Sequence, residues 1–274
     1  MASTFVERFG FDSIRLTGGE PTVRRGLPDL VARLARLGVD LSMTTNGATL
    51  AEHAPVLRAA GLRRVNISLD SLRPERFAEL TRRDELGRVL DGITAAVEAG
   101  FDPVKLNVVA LQGVNDDEVV DLAAFGRKAG VEVRFIEYMP LDADHGWQRS
   151  SVVPGEQIIA TIGEVFPLRP MGRGAEPAEL WEYVDGRGRV GAIPSVTAPF
   201  CARCDRVRLT AEGKLRNCLF SVQETDLRAV LRGGGGDDEF VAVAVACVAE
   251  KAAGHGIGSV SFVQPPRTMS QIGG

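Results

Sequence analysis

The feature that most constrains this chain is a regular alternation through its first half. Short β-branched runs at 13–16, 40–43, 64–69, 104–110 and 131–138 alternate with longer stretches at 26–37, 50–60, 74–99 and 116–128. Those longer stretches place apolar residues three and four apart, the period of a helix with one buried face. Strand–helix–strand order with short connections predicts an α/β fold, a parallel sheet covered by helices. Polar residues cluster where the strands should end: Thr17-Gly18-Gly19-Glu20-Pro21, Thr44-Thr45-Asn46-Gly47, Ser68-Leu69-Asp70-Ser71 and Met139-Pro140. Parallel α/β folds place their active sites at that end of the sheet.

The character changes after Pro140. A polar loop spans 142–149, a helix is expected over 153–166, and 167–177 with Gly172 and Gly174 reads as a linker. Beyond Leu180 come short strands, a turn at Glu212-Gly213-Lys214 and two helices separated by Gly233–Gly236. Two regions are expected, 1–140 and 141–274. The apolar fraction of 45% is enough for a sizeable core, and a net charge of −4 advertises no general nucleic-acid affinity. No apolar run approaches the roughly 18 residues of a membrane helix, and the first ten residues lack the apolar core of a secretory signal. A cytoplasmic protein is expected, with neither nucleic acid nor membrane as partner.

Three of the four cysteines, Cys201, Cys204 and Cys218, fall within 18 positions as Cys-x2-Cys-x13-Cys. Thiolates three apart in a turn, with a third on the return strand of a hairpin, point to metal ligation. A structural zinc site wants a fourth ligand, but Ser221 stands where a second Cys-x2-Cys would close. Three thiolates without a fourth suit an iron–sulfur cluster with one open iron; a zinc hairpin is the alternative. Cys247, inside an apolar stretch, reads as a buried small hydrophobe, and His255 as a loop histidine. Beside the cysteines, Arg206 and Arg208 would share one strand face, where two guanidiniums call for an anion between them. Lys105 and Asn107 likewise share a face, costly in a barrel interior unless something satisfies them. Glu20 is an acceptor able to hold an ammonium group.

Taken in order, Arg15-Leu-Thr-Gly-Gly-Glu-Pro21, Thr44-Thr-Asn-Gly47, Asn66-Ile-Ser-Leu-Asp-Ser71, Lys105-Leu-Asn107, Phe135-Ile-Glu-Tyr-Met-Pro140, the three cysteines with Arg-x-Arg, and the terminal Gly273-Gly274 resemble one family. It is the GTP 3′,8-cyclases, the radical S-adenosylmethionine enzymes of molybdenum cofactor biosynthesis, and the resemblance runs from Ile14 to Gly274. It implies an incomplete parallel (βα) barrel with a C-terminal α+β region carrying a [4Fe–4S] cluster. It also implies conversion of GTP to (8S)-3′,8-cyclo-7,8-dihydroguanosine 5′-triphosphate. By resemblance, Cys201, Cys204 and Cys218 ligate the cluster, and Arg15, Thr44, Lys105, Arg206, Val207 and Arg208 contact GTP. Gly19, Ser68 and Met139 contact S-adenosylmethionine, and Gly273 and Gly274 assist at the active site. A homodimer and a downstream cyclic pyranopterin monophosphate synthase are the implied protein partners.

The family pattern also opens with a strand and a Cys-x3-Cys-x2-Cys loop, whose cluster reduces S-adenosylmethionine. No cysteine precedes Cys201. The expectation is therefore a chain with that first strand missing. Its alternative function is that of a catalytically inert iron–sulfur protein retaining a GTP pocket.

Overall fold

The computed structural model describes residues 1–141, 146–174, 176–260 and 262–272. An eight-stranded sheet forms its centre, in the order β1-β2-β3-β4-β5-β8-β7-β6. Helix α1 (Ala2–Phe9) precedes β1 (Ser13–Leu16), and α2 (Leu27–Ala35) leads to β2 (Asp40–Thr45). Then follow α3 (Leu50–Ala59), β3 (Arg64–Ser68), α4 (Pro74–Thr81), α5 (Leu86–Glu98), β4 (Val104–Ala110), α6 (Val119–Ala129) and β5 (Glu132–Glu137). The five strands are parallel, as the alternation predicted. Helix α7 (Gly155–Val165) leads to β6 (Leu168–Arg173), β7 (Glu179–Tyr183) and β8 (Arg189–Ile193). β8 joins β5 in parallel, while β7 and β6 extend the sheet antiparallel. β1 and β6 are its two edges, so the sheet is an open, partial barrel.

Alternate strand residues divide the sheet into two faces of different chemistry. Leu41, Met43, Val65, Ile67, Leu106, Val108, Val133 and Phe135 point outward into one core with the helices. That burial is the main driving force for the fold. Helix α5 settles on the strand ends only because Gly92 has no side chain: a Cβ there would stand 2.4 Å from the Gly47 carbonyl oxygen.

The remainder is a three-stranded antiparallel sheet, β9 (Arg208–Leu209), β10 (Lys214–Arg216) and β11 (Thr225–Asp226), with α8 (Leu227–Arg232), α9 (Asp237–Ala249) and α10 (Met269–Ile272). Its core gathers Leu215, Leu227, Phe240, Ala244 and Cys247, with Phe5 and Phe9 of α1 packed on it. Cys247 is thus a buried hydrophobe, as read from the sequence. Among the described residues no helix is long and apolar enough to cross a membrane.

Three expectations need correction. The linker at 167–177 contains β6, an edge strand bulged between Pro170 and Gly172 and largely exposed on both sides. An edge strand that buries neither face carries no apolar period to read. The stretch at 74–99 is two helices, because Arg82 adopts a left-handed conformation (φ 58°) and turns the chain. The shared strand face for Arg206 and Arg208 is also too long, since β9 begins only at Arg208.

Candidate functional site

On the inner face, the strand register lines polar residues up in rows. Arg15, Ser42 and Arg64 stand side by side on β1, β2 and β3. Thr44, Asn66, Lys105 and Glu132 form the next row, and Ser68, Asn107 and Arg134 the one above. Parallel strands are ordinarily apolar on both faces. A polar inner face is tolerated here only because its groups meet one another or something bound between them.

Much of that satisfaction is visible. Lys105, almost wholly buried, donates from Nζ to Glu176 at 2.8 and 3.2 Å. Arg134 also donates to Glu176, and Arg64 stands 3.4 Å from the same carboxylate. Arg64 pairs further with Asp40, while Glu132 takes Arg134 at 2.5 Å and Arg189 at 3.1 Å. Glu176 lies in the segment read as a linker. Burial alone would raise its pKa, but Arg134 and Lys105 outweigh that and hold the carboxyl at about 2.

Other groups are left unmatched. Arg15, Arg206 and Arg208 form no ion pair with a carboxylate among the described residues. Arg15 is enclosed by protein yet open to solvent, as a residue lining a cleft is. Desolvation, then Arg206, Arg134 and Arg64, pull its pKa down to about 10. Arg208 falls to about 10 through burial and Arg206, partly opposed by Cys218 and Cys204. These mutual effects tie the inner face to the cysteine hairpin in one positive field. Within it the Thr44 hydroxyl and the Nε atoms of Arg64 and Arg208 are buried without a hydrogen-bond partner, as is the Glu132 Oε2 acceptor. Buried donors are normally satisfied, so such orphans mark where a ligand's acceptors belong. Val207 differs: its side chain packs into the second core, leaving only its backbone for a ligand.

Two of the cysteines reach the same arginine, since Cys204 and Cys218 both act on Arg208. Cys201 and Cys204 flank a 3-10 turn before β9, and Cys218 follows β10. All three are free and partly buried. Burial would raise the Cys204 thiol's pKa, but the Arg206 amide and guanidinium and Lys251 bring it below its ordinary value. Lys251, which no sequence signal marked, stands 3.6 Å from the Cys204 sulfur and donates to the Arg206 carbonyl at 2.8 Å. Among the described residues no three His, Cys, Asp or Glu side chains converge as they would on a single ion. In an iron–sulfur cluster each thiolate binds a different iron, so the sulfurs stand farther apart than around one zinc.

Gly19, Ser68 and Met139 follow or end β1, β3 and β5, along the C-terminal rim of the sheet. Gly18 takes φ 123°, which admits no ordinary side chain. Glu20 also braces the rim, while its Oε2 keeps an acceptor site beyond its single hydrogen bond. Its Oε1 accepts from Thr22 and Thr45 and its Oε2 from the Asn46 amide at 2.7 Å. Met139 packs with Leu141, Phe220, Cys218 and Ile272 of α10. The chain's last described helix therefore lies between the rim and the hairpin. Gly273 and Gly274 fall outside the described residues. His255 is a loop histidine, hydrogen-bonded at 2.8 Å to the Ser195 carbonyl.

A family model for the radical SAM superfamily matches residues 1–126, and one for Molybdenum Cofactor Synthesis C matches 131–257. A protein of Streptomyces coelicolor named GTP 3′,8-cyclase is 49% identical over 98% of this chain and 80% of its own length. One of Rhodopirellula baltica with the same name is 48% identical over 100% of this chain and 78% of its own. Among solved structures, methylornithine synthase aligns over 88% of this chain and 74% of that one, at 16% identity and TM-score 0.49.

Proposed function

The chain belongs to the GTP 3′,8-cyclase family of molybdenum cofactor biosynthesis, and from that premise we propose that its inner face is the GTP seat. The carrying observation is the set of unsatisfied buried donors at this face, Thr44 Oγ1, Arg64 Nε and Arg208 Nε, beside Arg15 and Arg206, which pair with no carboxylate among the described residues. A triphosphate supplies several charges and many acceptors in one ligand, which is what this face lacks. In this reading Arg206, Arg208, Arg15 and Lys105 hold the phosphates, Thr44 fixes the nucleotide's position, and the Val207 backbone lines the seat. The nucleotide is thereby oriented for closure of its ribose C3′ onto C8 of guanine.

Superfamily membership brings a [4Fe–4S] cluster and S-adenosylmethionine as cofactors. The donor set fits one such cluster at Cys201, Cys204 and Cys218: three thiols, a depressed pKa and a nearby ammonium. Bound there, it would leave one iron without a protein ligand and open to the guanine. Gly19, Ser68 and Met139 would meet S-adenosylmethionine along the rim. The chain's four cysteines all lie at or after Cys201, so these 274 residues supply no thiolate for a reducing cluster at that rim. The same reading takes 1–140 as partial barrel and 141–274 as barrel end plus cluster region. It includes a homodimer in the cytoplasm that hands its product to a cyclic pyranopterin monophosphate synthase, with Gly273 and Gly274 assisting the reaction.

Two measurements test it. Calorimetry should show Arg206→Ala and Arg208→Ala each weakening GTP binding by about tenfold to a hundredfold, the loss of a charge-assisted bond worth roughly 1.5–3 kcal/mol. Lysine at either position should recover only part, since it lacks the bidentate fork. Equal binding by wild type and both alanine variants would mean that neither arginine meets the nucleotide. Second, anaerobic reconstitution should load about four irons per chain, lost in Cys218→Ala. Tightly held zinc after reconstitution would overturn the cluster.

A further inference from the structure

Glu176 sits on Lys105, which the proposed function assigns to the nucleotide, and on its neighbours Arg134 and Arg64. It is carried between β6 and β7, far along the chain from the strands it touches, and its two oxygens engage Lys105, Arg134 and Arg64 together. Lys105 and Arg134 are almost wholly buried, whereas the Glu176 side chain keeps 38% of its surface exposed. The anion is thus at the mouth and its cations are at the bottom. A carboxylate so placed resembles the end of an inserted ligand more than a link between packed elements.

We propose that Glu176 is a specificity-determining residue, an internal anion that competes with the nucleotide's phosphates for Lys105 and Arg134. The inference rests on GTP binding at this face and goes beyond it. In the unliganded chain the carboxylate neutralises a cationic seat that would otherwise repel itself. A ligand enters that seat only by displacing it. A triphosphate brings enough charge and enough acceptors to do so. A carboxylate metabolite or an uncharged nucleoside does not, so Glu176 sets a threshold of ligand charge. Affinity for GTP is lower than the naked seat would give, and discrimination is higher.

The test is calorimetric titration of GTP and of guanosine into wild type, Glu176→Gln, Glu176→Ala and Lys105→Ala, with melting curves to confirm folding. Both Glu176 variants should bind GTP about tenfold more tightly, the gain from one charge-assisted contact no longer being broken on entry. Guanosine, which has no phosphate, should bind all three chains that keep Lys105 equally. Lys105→Ala should weaken GTP binding. If Lys105→Ala weakens GTP while both Glu176 variants bind it no better than wild type, the competition is refuted and the GTP seat stands. If Lys105→Ala leaves GTP binding unchanged, the seat is wrong and the competition falls with it. A gain for guanosine equal to that for GTP would also overturn the proposal, since it would show general loosening.

Discussion

Glu137→Ala is expected to destabilise the protein by about 2–6 kcal/mol, because it orphans two buried backbone amides that each cost about 1–3 kcal/mol without a partner. Glu137 ends β5 and is 1% exposed. Its Oε1 accepts from the Gly155 amide at 2.9 Å, and its Oε2 accepts from Val196 and Thr197 at 2.7 Å each. The Thr197 hydroxyl donates to it as well. One carboxylate thus caps the N-terminus of α7, where negative charge is favoured. It also holds the chain leaving β8 on its way to Cys201. Two residues further on stands Met139. Loss of Glu137 should therefore loosen the rim and the cysteine turn together. Glu137→Gln keeps the shape but replaces one acceptor by a donor facing N–H groups, so it should lose much of the same stability. Thr197→Val removes only the hydroxyl and should cost about 1 kcal/mol. Chemical denaturation of the three variants checks the order. Near-equal stability of Glu137→Ala and wild type would mean that water replaces the carboxylate without cost.

The parallel strands were legible because their outward faces repeat every second residue with Val, Ile, Leu or Met, and the helices between them carry a clear apolar stripe. Of the inner face, Lys105 and Asn107 were legible as polar residues sharing one side of a strand, whereas Arg15, Thr44 and Ser68 came only with the resemblance. What sequence reasoning missed has no periodic signature. Arg134 alternates with Glu132 on a buried strand, and that pattern is its one local signal. Glu176 reaches Lys105 across 71 positions and sits in a segment whose neighbouring strand buries neither face. Lys251 meets Cys204 across 47 positions. The amphipathic α1 was overlooked because its partners, Phe240 and Val243, lie at the other end of the chain. Pairings of single side chains over such separations are set by the tertiary fold and leave no local trace.

The Cys218 loop depends on such a pairing, and breaking it should have an effect as large as that at Glu137. Arg216, the last residue of β10, has a fully buried side chain. It donates to Glu224 at 2.7 Å and to the Leu219 carbonyl at 3.3 Å, and it also reaches the Ser221 carbonyl. These contacts wrap the chain around Cys218 and fix where its sulfur points. Glu224 is shared with Arg267 at 2.6 Å and stands 3.6 Å from Lys214. Burial works to raise its pKa, but hydrogen bonds from Arg267 and Arg216 prevail and lower it. A depressed carboxylate pKa stabilises the fold above the ordinary glutamate value, and that contribution is lost as pH falls through the lower folded value. The hairpin should therefore loosen in acid below about pH 4.5, the unfolded-state value. Glu224→Ala removes the carboxylate and leaves a buried guanidinium facing only carbonyls, a change that costs about 3–5 kcal/mol. The melting temperature should fall by roughly 6–20 °C, and iron uptake at the hairpin should fall with it. Arg216→Met leaves no buried charge behind, because Glu224 keeps Arg267 and Lys214. It should cost clearly less than Glu224→Ala while still releasing the Cys218 loop. If the two variants melt alike and both load iron as wild type does, the buried arginine does not shape the site.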